Sequence, residues 1–98
     1  MKFITDTINR GYVNIYGHKV NIIIGDKLLI DGQIGRADCN SDVIYMAESQ
    51  SEANKKDTML HEILHFISDR NKLDLTEQQV MILATGLYSI FTENVDEV

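Results

Sequence analysis

Residues 58–67 read Thr-Met-Leu-His-Glu-Ile-Leu-His-Phe-Ile, and this stretch decides how the second half of the chain folds. Its apolar residues recur at the three- and four-residue spacing of a helix that buries one side. Ser49 or Ser51 can cap this helix at its N-terminus. A basic residue and an asparagine, Arg70 and Asn71, predict its end. The predicted buried stripe consists of Met59, Leu60, Ile63, Leu64 and Ile67.

A second helix is predicted immediately downstream. Thr76-Glu77-Gln78-Gln79 fits a capping box, in which the threonine hydroxyl and a glutamine side chain exchange hydrogen bonds with the backbone. The residues that follow repeat at helical spacing and give this helix an apolar face. That predicted face consists of Val80, Leu83, Ala84, Leu87 and Phe91.

The first half of the chain is rich in β-forming residues, and glycines interrupt the runs. The predicted strands are residues 12–16, 19–24, 27–30 and 42–47. Residues 32–41 contain two glycines and several polar residues, which predicts a loop. The 98 residues suffice for one domain, residues 1–98. We expect an α+β fold with a small, mostly antiparallel sheet packed against the two C-terminal helices.

Composition and charge argue against several classes of function. The net charge is -6 and no cluster of Lys or Arg occurs, which argues against nucleic acid as a partner. No apolar run has the length of a membrane span or of a signal peptide. The single cysteine, Cys39, cannot form an internal disulfide. We therefore expect a cytoplasmic protein that does not enter a membrane.

The segment His61-Glu62-Ile63-Leu64-His65 is an HExxH motif on the first predicted helix. Residues four apart lie on the same helix face, so both imidazoles can converge on one zinc ion. The glutamate between them can take a proton from a water that zinc has made more acidic. The motif specifies three residues, and its place inside a well-supported helix favours zinc binding over a chance match.

A catalytic zinc site needs a third protein ligand. Asp69 lies ~12 Å along the helix axis from the first histidine, and Glu93 lies ~24 Å beyond the start of the second helix. Both residues therefore lie too far away to be the third metal ligand. Glu77 begins the second helix after a short turn, and antiparallel packing would place it beside His65. Geometry and ligand type favour Glu77, and Asp74 and His18 remain alternatives.

Two further residues have chemistry that the site can use. Tyr88 lies about three turns after Glu77 on roughly the same helix face, where it can polarise a carbonyl. Cys39 can bind zinc as a thiolate. Burial is the expected role of the tyrosine, and a small buried or loop position that of the cysteine.

Three segments of the C-terminal half carry a family resemblance: residues 58–65, 73–80 and 84–88. Together they resemble the small metallopeptidase-like proteins that phages and mobile elements encode, which are similar to minimal gluzincins. The resemblance implies a zincin-like fold in which His61, His65 and Glu77 hold zinc and Glu62 is the general acid/base. The longer gluzincins also carry a further acidic or histidine residue after the glutamate ligand, and residues 78–81 supply none.

The sequence thus predicts a zinc-dependent metallopeptidase that hydrolyses a peptide or protein substrate, with Glu62 as general base. An extended peptide would add as a strand to the cleft edge, expected at residues 43–46. The alternative is a non-catalytic zinc-binding regulator that engages a host or phage protein through the same cleft. A third possibility is an interaction module in which the motif binds no metal.

Overall fold

The computed structural model describes residues 2–25 and 33–94. These described residues form three helices, which are α1 (Lys2–Arg10), α2 (Glu52–Asn71) and α3 (Glu77–Asn94). They also form four strands, which are β1 (Tyr12–Ile15), β2 (His18–Ile24), β3 (Gly35–Asp38) and β4 (Val43–Met46). The predicted α+β class is confirmed. The strand predicted at residues 27–30 lies outside the described residues.

The four strands form one sheet in the order β1-β2-β4-β3. β1 and β2 form a hairpin whose turn residues, Tyr16 and Gly17, both have positive φ angles. β2 pairs with β4 in parallel, and β3 pairs with β4 antiparallel. Two of the three pairings are antiparallel, which confirms a mostly antiparallel sheet.

β3 corrects the prediction of a loop at residues 32–41. The segment Gly35-Arg36-Ala37-Asp38 has low intrinsic β propensity, so its sequence favours a loop. Its pairing with β4 makes it a strand, and the Arg36 guanidinium lies 4.5 Å from the centre of the Tyr45 ring on the neighbouring strand. Cross-strand contacts of this kind override the local preference.

α1 is an element for which sequence analysis made no prediction. It buries Ile4 and Thr7, and Ile8 packs partly against the same core. Gly11 follows with φ 83° and donates its N–H to the Thr7 carbonyl, the arrangement of a glycine that ends a helix. The spacing of Ile4, Thr7 and Ile8 contained this signal, although their β-branched side chains lower helix propensity.

The core lies between the sheet and α2, with contributions from α1 and α3. The largest apolar side chains that are fully buried are Phe66, Ile4, Ile44, Met46, Met59, Val20 and Val80. Met59 and Leu60 of the predicted α2 stripe are buried, and the other three members pack partly buried against the core. α3 packs beside α2 and adds Ala84 to the same core, so both C-terminal helices pack on the sheet, as predicted.

The predicted apolar face of α3 is correct except at Leu83. Val80 and Ala84 are buried, whereas Leu83 is 46% exposed. α3 packs mainly against α2, so only a narrow strip of its surface is covered. Leu83 lies beside that strip and not within it.

The N-termini of α2 and α3 have caps of the predicted kind. The Ser51 hydroxyl accepts the Asn54 N–H, which selects Ser51 over Ser49 as the cap of α2. At α3 the Thr76 hydroxyl accepts the Gln79 N–H, and the Gln79 side chain accepts the Thr76 N–H. This reciprocal pair is the predicted capping box.

None of the helices in the described part of the chain has the length and apolar character needed to cross a membrane.

Replacement of Thr76 by alanine should lower the free energy of unfolding by about 1 kcal/mol, because the Gln79 N–H in the first turn of α3 loses the side-chain hydroxyl that accepts it. Thr92→Ala is the control, since the Thr92 hydroxyl donates to a carbonyl inside the same helix and its loss should change stability by less than about 0.5 kcal/mol. Urea unfolding of both variants measures the difference. Equal losses would show that the capping box does not stabilise α3.

Candidate metal centre

The three residues predicted as metal ligands meet at one point between α2 and α3. His61 Nε2 lies 3.0 Å from one carboxylate oxygen of Glu77, and His65 Nε2 lies 2.7 Å from the other. The two imidazole Nε2 atoms are 3.2 Å apart. Within the described residues, this is the one group of three or more potential ligand side chains whose donor atoms converge.

The rotation of α2 about its axis positions both histidines. Phe66 and Met59 are fully buried, and they hold one side of the helix against the core. His61 and His65 then project at its flank, each with a side chain a little over one-fifth exposed. Because the two residues are four apart on a helix, their rings lie one turn apart on the same side.

Glu77 reaches the histidines because the connection between α2 and α3 is short and held at several points. α2 ends at Asn71, and the next residue, Lys72, has a left-handed conformation (φ 52°) that turns the chain. The buried Ser68 hydroxyl accepts the Leu75 N–H and draws the connection back onto α2. The capping box at Thr76 then starts α3, with Glu77 as its first residue.

The geometry of these donors can be compared with what zinc requires. Zinc binds imidazole nitrogen and carboxylate oxygen at about 2.0–2.2 Å in a tetrahedron, which places neighbouring ligand atoms ~3.3 Å apart. The separation of 3.2 Å between the two Nε2 atoms is close to this value, and these atoms approach different oxygens of Glu77, at 3.0 and 2.7 Å. Two histidines and one glutamate are also a donor set of catalytic zinc sites, which keep a fourth position open. The residues present are therefore compatible with a bound metal ion.

Glu62 lies beside this centre in a different environment. It is 5% exposed, whereas the Glu77 side chain is 76% exposed. Burial, and then the negative charge of Glu77, raise the pKa of Glu62 from 4.5 to about 8. A carboxyl group with a pKa in this range can both accept and release a proton near neutral pH.

Gly35 of β3 makes room for the Glu62 side chain. A Cβ atom at position 35 would lie 2.5 Å from Cγ2 of Thr58 and 2.8 Å from a carboxylate oxygen of Glu62. The β3 backbone therefore approaches α2 more closely than any residue with a side chain would allow. This contact holds the edge of the sheet against the glutamate of the motif.

A cleft of about 850 Å³ opens over the centre. β3 forms one wall, and the C-terminal half of α2 with the following connection forms the other. β3 is the last strand of the sheet among the described residues. The expectation that residues 43–46 form the cleft edge is wrong, because β4 lies between β2 and β3.

The structure separates the alternative ligands from the cluster. His18 begins β2, and its Nδ1 lies 3.9 Å from Asp42. Asp69 and Asp74 are exposed and line the cleft without joining the converging group. Glu93 accepts a hydrogen bond from Ser89 near the far end of α3.

Tyr88 and Cys39 occupy partly buried positions. Tyr88 packs against the hydrophobic core on the inner side of α3, in agreement with its expected burial. Cys39 lines the cleft, and burial followed by the charge of Asp69 raises the pKa of its thiol above 9.0. A raised pKa disfavours the thiolate that binds metal.

Two residues that position the site, Gly35 and Ser68, are not predicted by any sequence pattern. Gly35 stood inside a predicted loop, and a glycine in a strand marks a close backbone approach only once the strand is recognised. Ser68 has no motif of its own, since its hydroxyl matters only through the distant Leu75 N–H. Neither role has a signal in the sequence itself.

Comparison of the chain with protein-family models, with curated proteins and with solved structures finds no match in any of the three. The resemblance to small gluzincins therefore rests on the motif residues alone.

Gly35→Ala should destabilise the protein by about 1–3 kcal/mol, the cost of adding a methyl group to a tightly packed contact. Gly86→Ala is the matched control, because a Cβ atom there meets nothing within 4 Å. Alanine in place of a glycine inside a helix should raise stability by about 0.8–1 kcal/mol. Urea unfolding tests both, and unchanged stability in Gly35→Ala would show that β3 is not tightly held against α2.

Proposed function

We propose that this protein is a zinc-dependent metallopeptidase. The observation that carries the proposal is the convergence of His61, His65 and Glu77 on one point, in the same cleft that Glu62 lines. The HExxH motif and the resemblance to minimal gluzincins support the same activity. A cytoplasmic location, as composition and the lone cysteine suggest, belongs to this proposal.

In this proposal His61, His65 and Glu77 hold the zinc ion. When bound, zinc supplies a Lewis acid that polarises a peptide carbonyl and makes a water molecule more acidic. The two neutral imidazoles and one carboxylate leave a net positive charge on the centre. That charge favours the ionised form of the neighbouring Glu62 carboxyl group, opposite to the effect of its burial.

Glu62 then acts as the base and the acid of the hydrolysis. Its carboxylate accepts a proton from the attacking water, and the protonated carboxyl donates it to the departing amine nitrogen. The buried side chain stays in place during both transfers, because the β3 backbone at Gly35 packs against it. A base held rigidly within reach of the reacting atoms is what general acid–base catalysis requires.

The outer edge of β3 suggests how the substrate binds. Among the described residues no further strand pairs with this edge, which borders the cleft, so an extended peptide can add to the sheet there. The main-chain hydrogen bonds of such a strand do not depend on side chains. Side chains lining the cleft, which include Asp69, Lys72 and Asp74, would then select among peptides.

A zinc-binding regulator without catalysis is the second candidate. The observation in its favour is the deep burial of Glu62, at 5% exposed, which leaves little of its carboxylate open to water. Such a protein would use the same zinc centre and cleft to hold a partner peptide. Zinc content cannot distinguish the two candidates, whereas peptide cleavage can.

The purified protein, supplied with zinc and then desalted, should retain about one zinc ion per chain by elemental analysis. His65→Ala should reduce the zinc content to near zero, because it removes one of three ligands. His18→Ala is the control, since it removes a histidine outside the cluster, and it should retain the full amount. Equal zinc in all three proteins, or none in the wild type, would refute the metal centre.

Glu62→Gln should retain zinc and lose peptide cleavage, because glutamine is nearly isosteric and cannot accept the proton. Mass spectrometry of a digest-derived peptide library, incubated with each protein, measures cleavage. General acid–base catalysis contributes roughly 10²–10⁴-fold, which is the expected drop in rate. Zinc-loaded wild type that cleaves no peptide would favour the regulator, and equal cleavage by the variant would exclude Glu62 as the base.

A further inference from the structure

The outer face of α3, defined here by Ile82, Gly86 and Ile90, is apolar and uncovered by the described residues. Ile82 is 59% exposed and Ile90 is 53% exposed. Gly86 lies between them, and a Cβ atom there would meet nothing within 4 Å. Leu83 flanks the face and is also exposed.

The charge pattern of α3 indicates that this face is covered in the working protein. No charged residue occurs from position 78 to position 92, although charged residues make up 24% of the chain. Besides the apolar face toward α2, α3 therefore carries exposed isoleucines on its outer side, next to uncharged polar residues such as Ser89, and a helix with two apolar faces is normally covered on both. α2 covers only the inner side.

The outer face is complementary to a second copy of itself. Ile82 and Ile90 are each four residues from Gly86, so a two-fold axis at Gly86 brings Ile82 of one α3 against Ile90 of an antiparallel α3. The same operation places Gln79 opposite Glu93, an amide donor facing a carboxylate acceptor. Among the described residues on the outer face, no like charges meet.

We propose that the protein forms a symmetric dimer in which the α3 helices of two copies pack antiparallel through this outer face. Each chain carries a net charge of -6, so most of its surface repels another copy, and the uncharged outer face does not. Gly86 at the crossing point lets the two helices approach closely, since interaxial distance depends on the side chains at the contact. The arrangement is isologous, as most homodimers are.

Two helices packed along one face cover less area than the ~800 Å² that each partner contributes to a standard interface. The dimer is therefore in exchange with the monomer and dissociates on dilution. Glu77 and the histidines lie on the inner side of α3, toward α2, so the cleft stays open in the dimer. The proposal does not depend on catalysis or on bound zinc.

Cysteine cross-linking tests the symmetry. Gly86→Cys places a thiol on the two-fold axis, where identical positions meet, and mild oxidation should convert most of the protein into a covalent dimer. Gln79→Cys is the matched control on the same helix. Its counterpart in the second copy would be ~21 Å away along the axis, so it should cross-link at least tenfold more slowly. Equal rates for the two variants would overturn the antiparallel register.

Charge substitution tests the contact independently. Ile82→Lys and Ile90→Glu should each be monomeric in sedimentation equilibrium, while the wild type shows a concentration-dependent dimer. Mixing the two variants should restore association, because the ammonium group introduced in one copy then faces the carboxylate introduced in the other. Circular dichroism of each variant verifies that it is folded.

A wild type that stays monomeric at every concentration would overturn the proposal. Cosedimentation of that monomer with phosphatidylcholine vesicles would assign the outer face to a lipid surface instead. A dimer that persists equally in both single variants would place the interface elsewhere on the chain.

Discussion

The burial of Phe66 and Met59 against the core fixes the rotation of α2, and the geometry of the candidate site follows from that rotation. With these two side chains held inside, His61 and His65 project toward α3 and Glu62 projects toward β3. One helix therefore supports the sheet on one side and presents three polar side chains to a cleft. A small rotation of α2 would move all of them together.

The geometry of the candidate site also depends on the close contact between β3 and α2. Gly35 allows the edge of the sheet to lie directly against Glu62, which removes water from the carboxyl group and raises its pKa. The same edge is where an extended peptide would bind in the proposed function. The packing of β3 against α2 and the raised pKa of Glu62 thus depend on Gly35, a position that has no side chain. In the proposed function, peptide binding at the same edge depends on it as well.

α3 has a different role on each of its sides. Its first residue, Glu77, completes the converging group, and Val80 and Ala84 pack inward. Its outer side is apolar and free of charge over four turns. In the proposed dimer that side meets a second copy, so the helix that completes the cleft of one chain would also join the two chains.

Local patterns predicted the C-terminal half well. Both helices, the Ser51 cap and the capping box at Thr76 depend on interactions between residues within four positions of each other, so the sequence contains their signals. The HExxH spacing likewise placed both histidines on one helix face. The place of Glu77 beside the histidines could be predicted because the connection between the helices is short. A short connection restricts where the next helix can begin.

The sequence by itself determined the α+β class, the two long helices and the three residues that converge in the candidate metal centre. Only the tertiary structure decided that residues 35–38 form a strand, that β4 is internal and that Leu83 is exposed. These features depend on pairing and packing between residues far apart in the chain. Local preference opposed the strand at 35–38, and cross-strand contacts outweighed it.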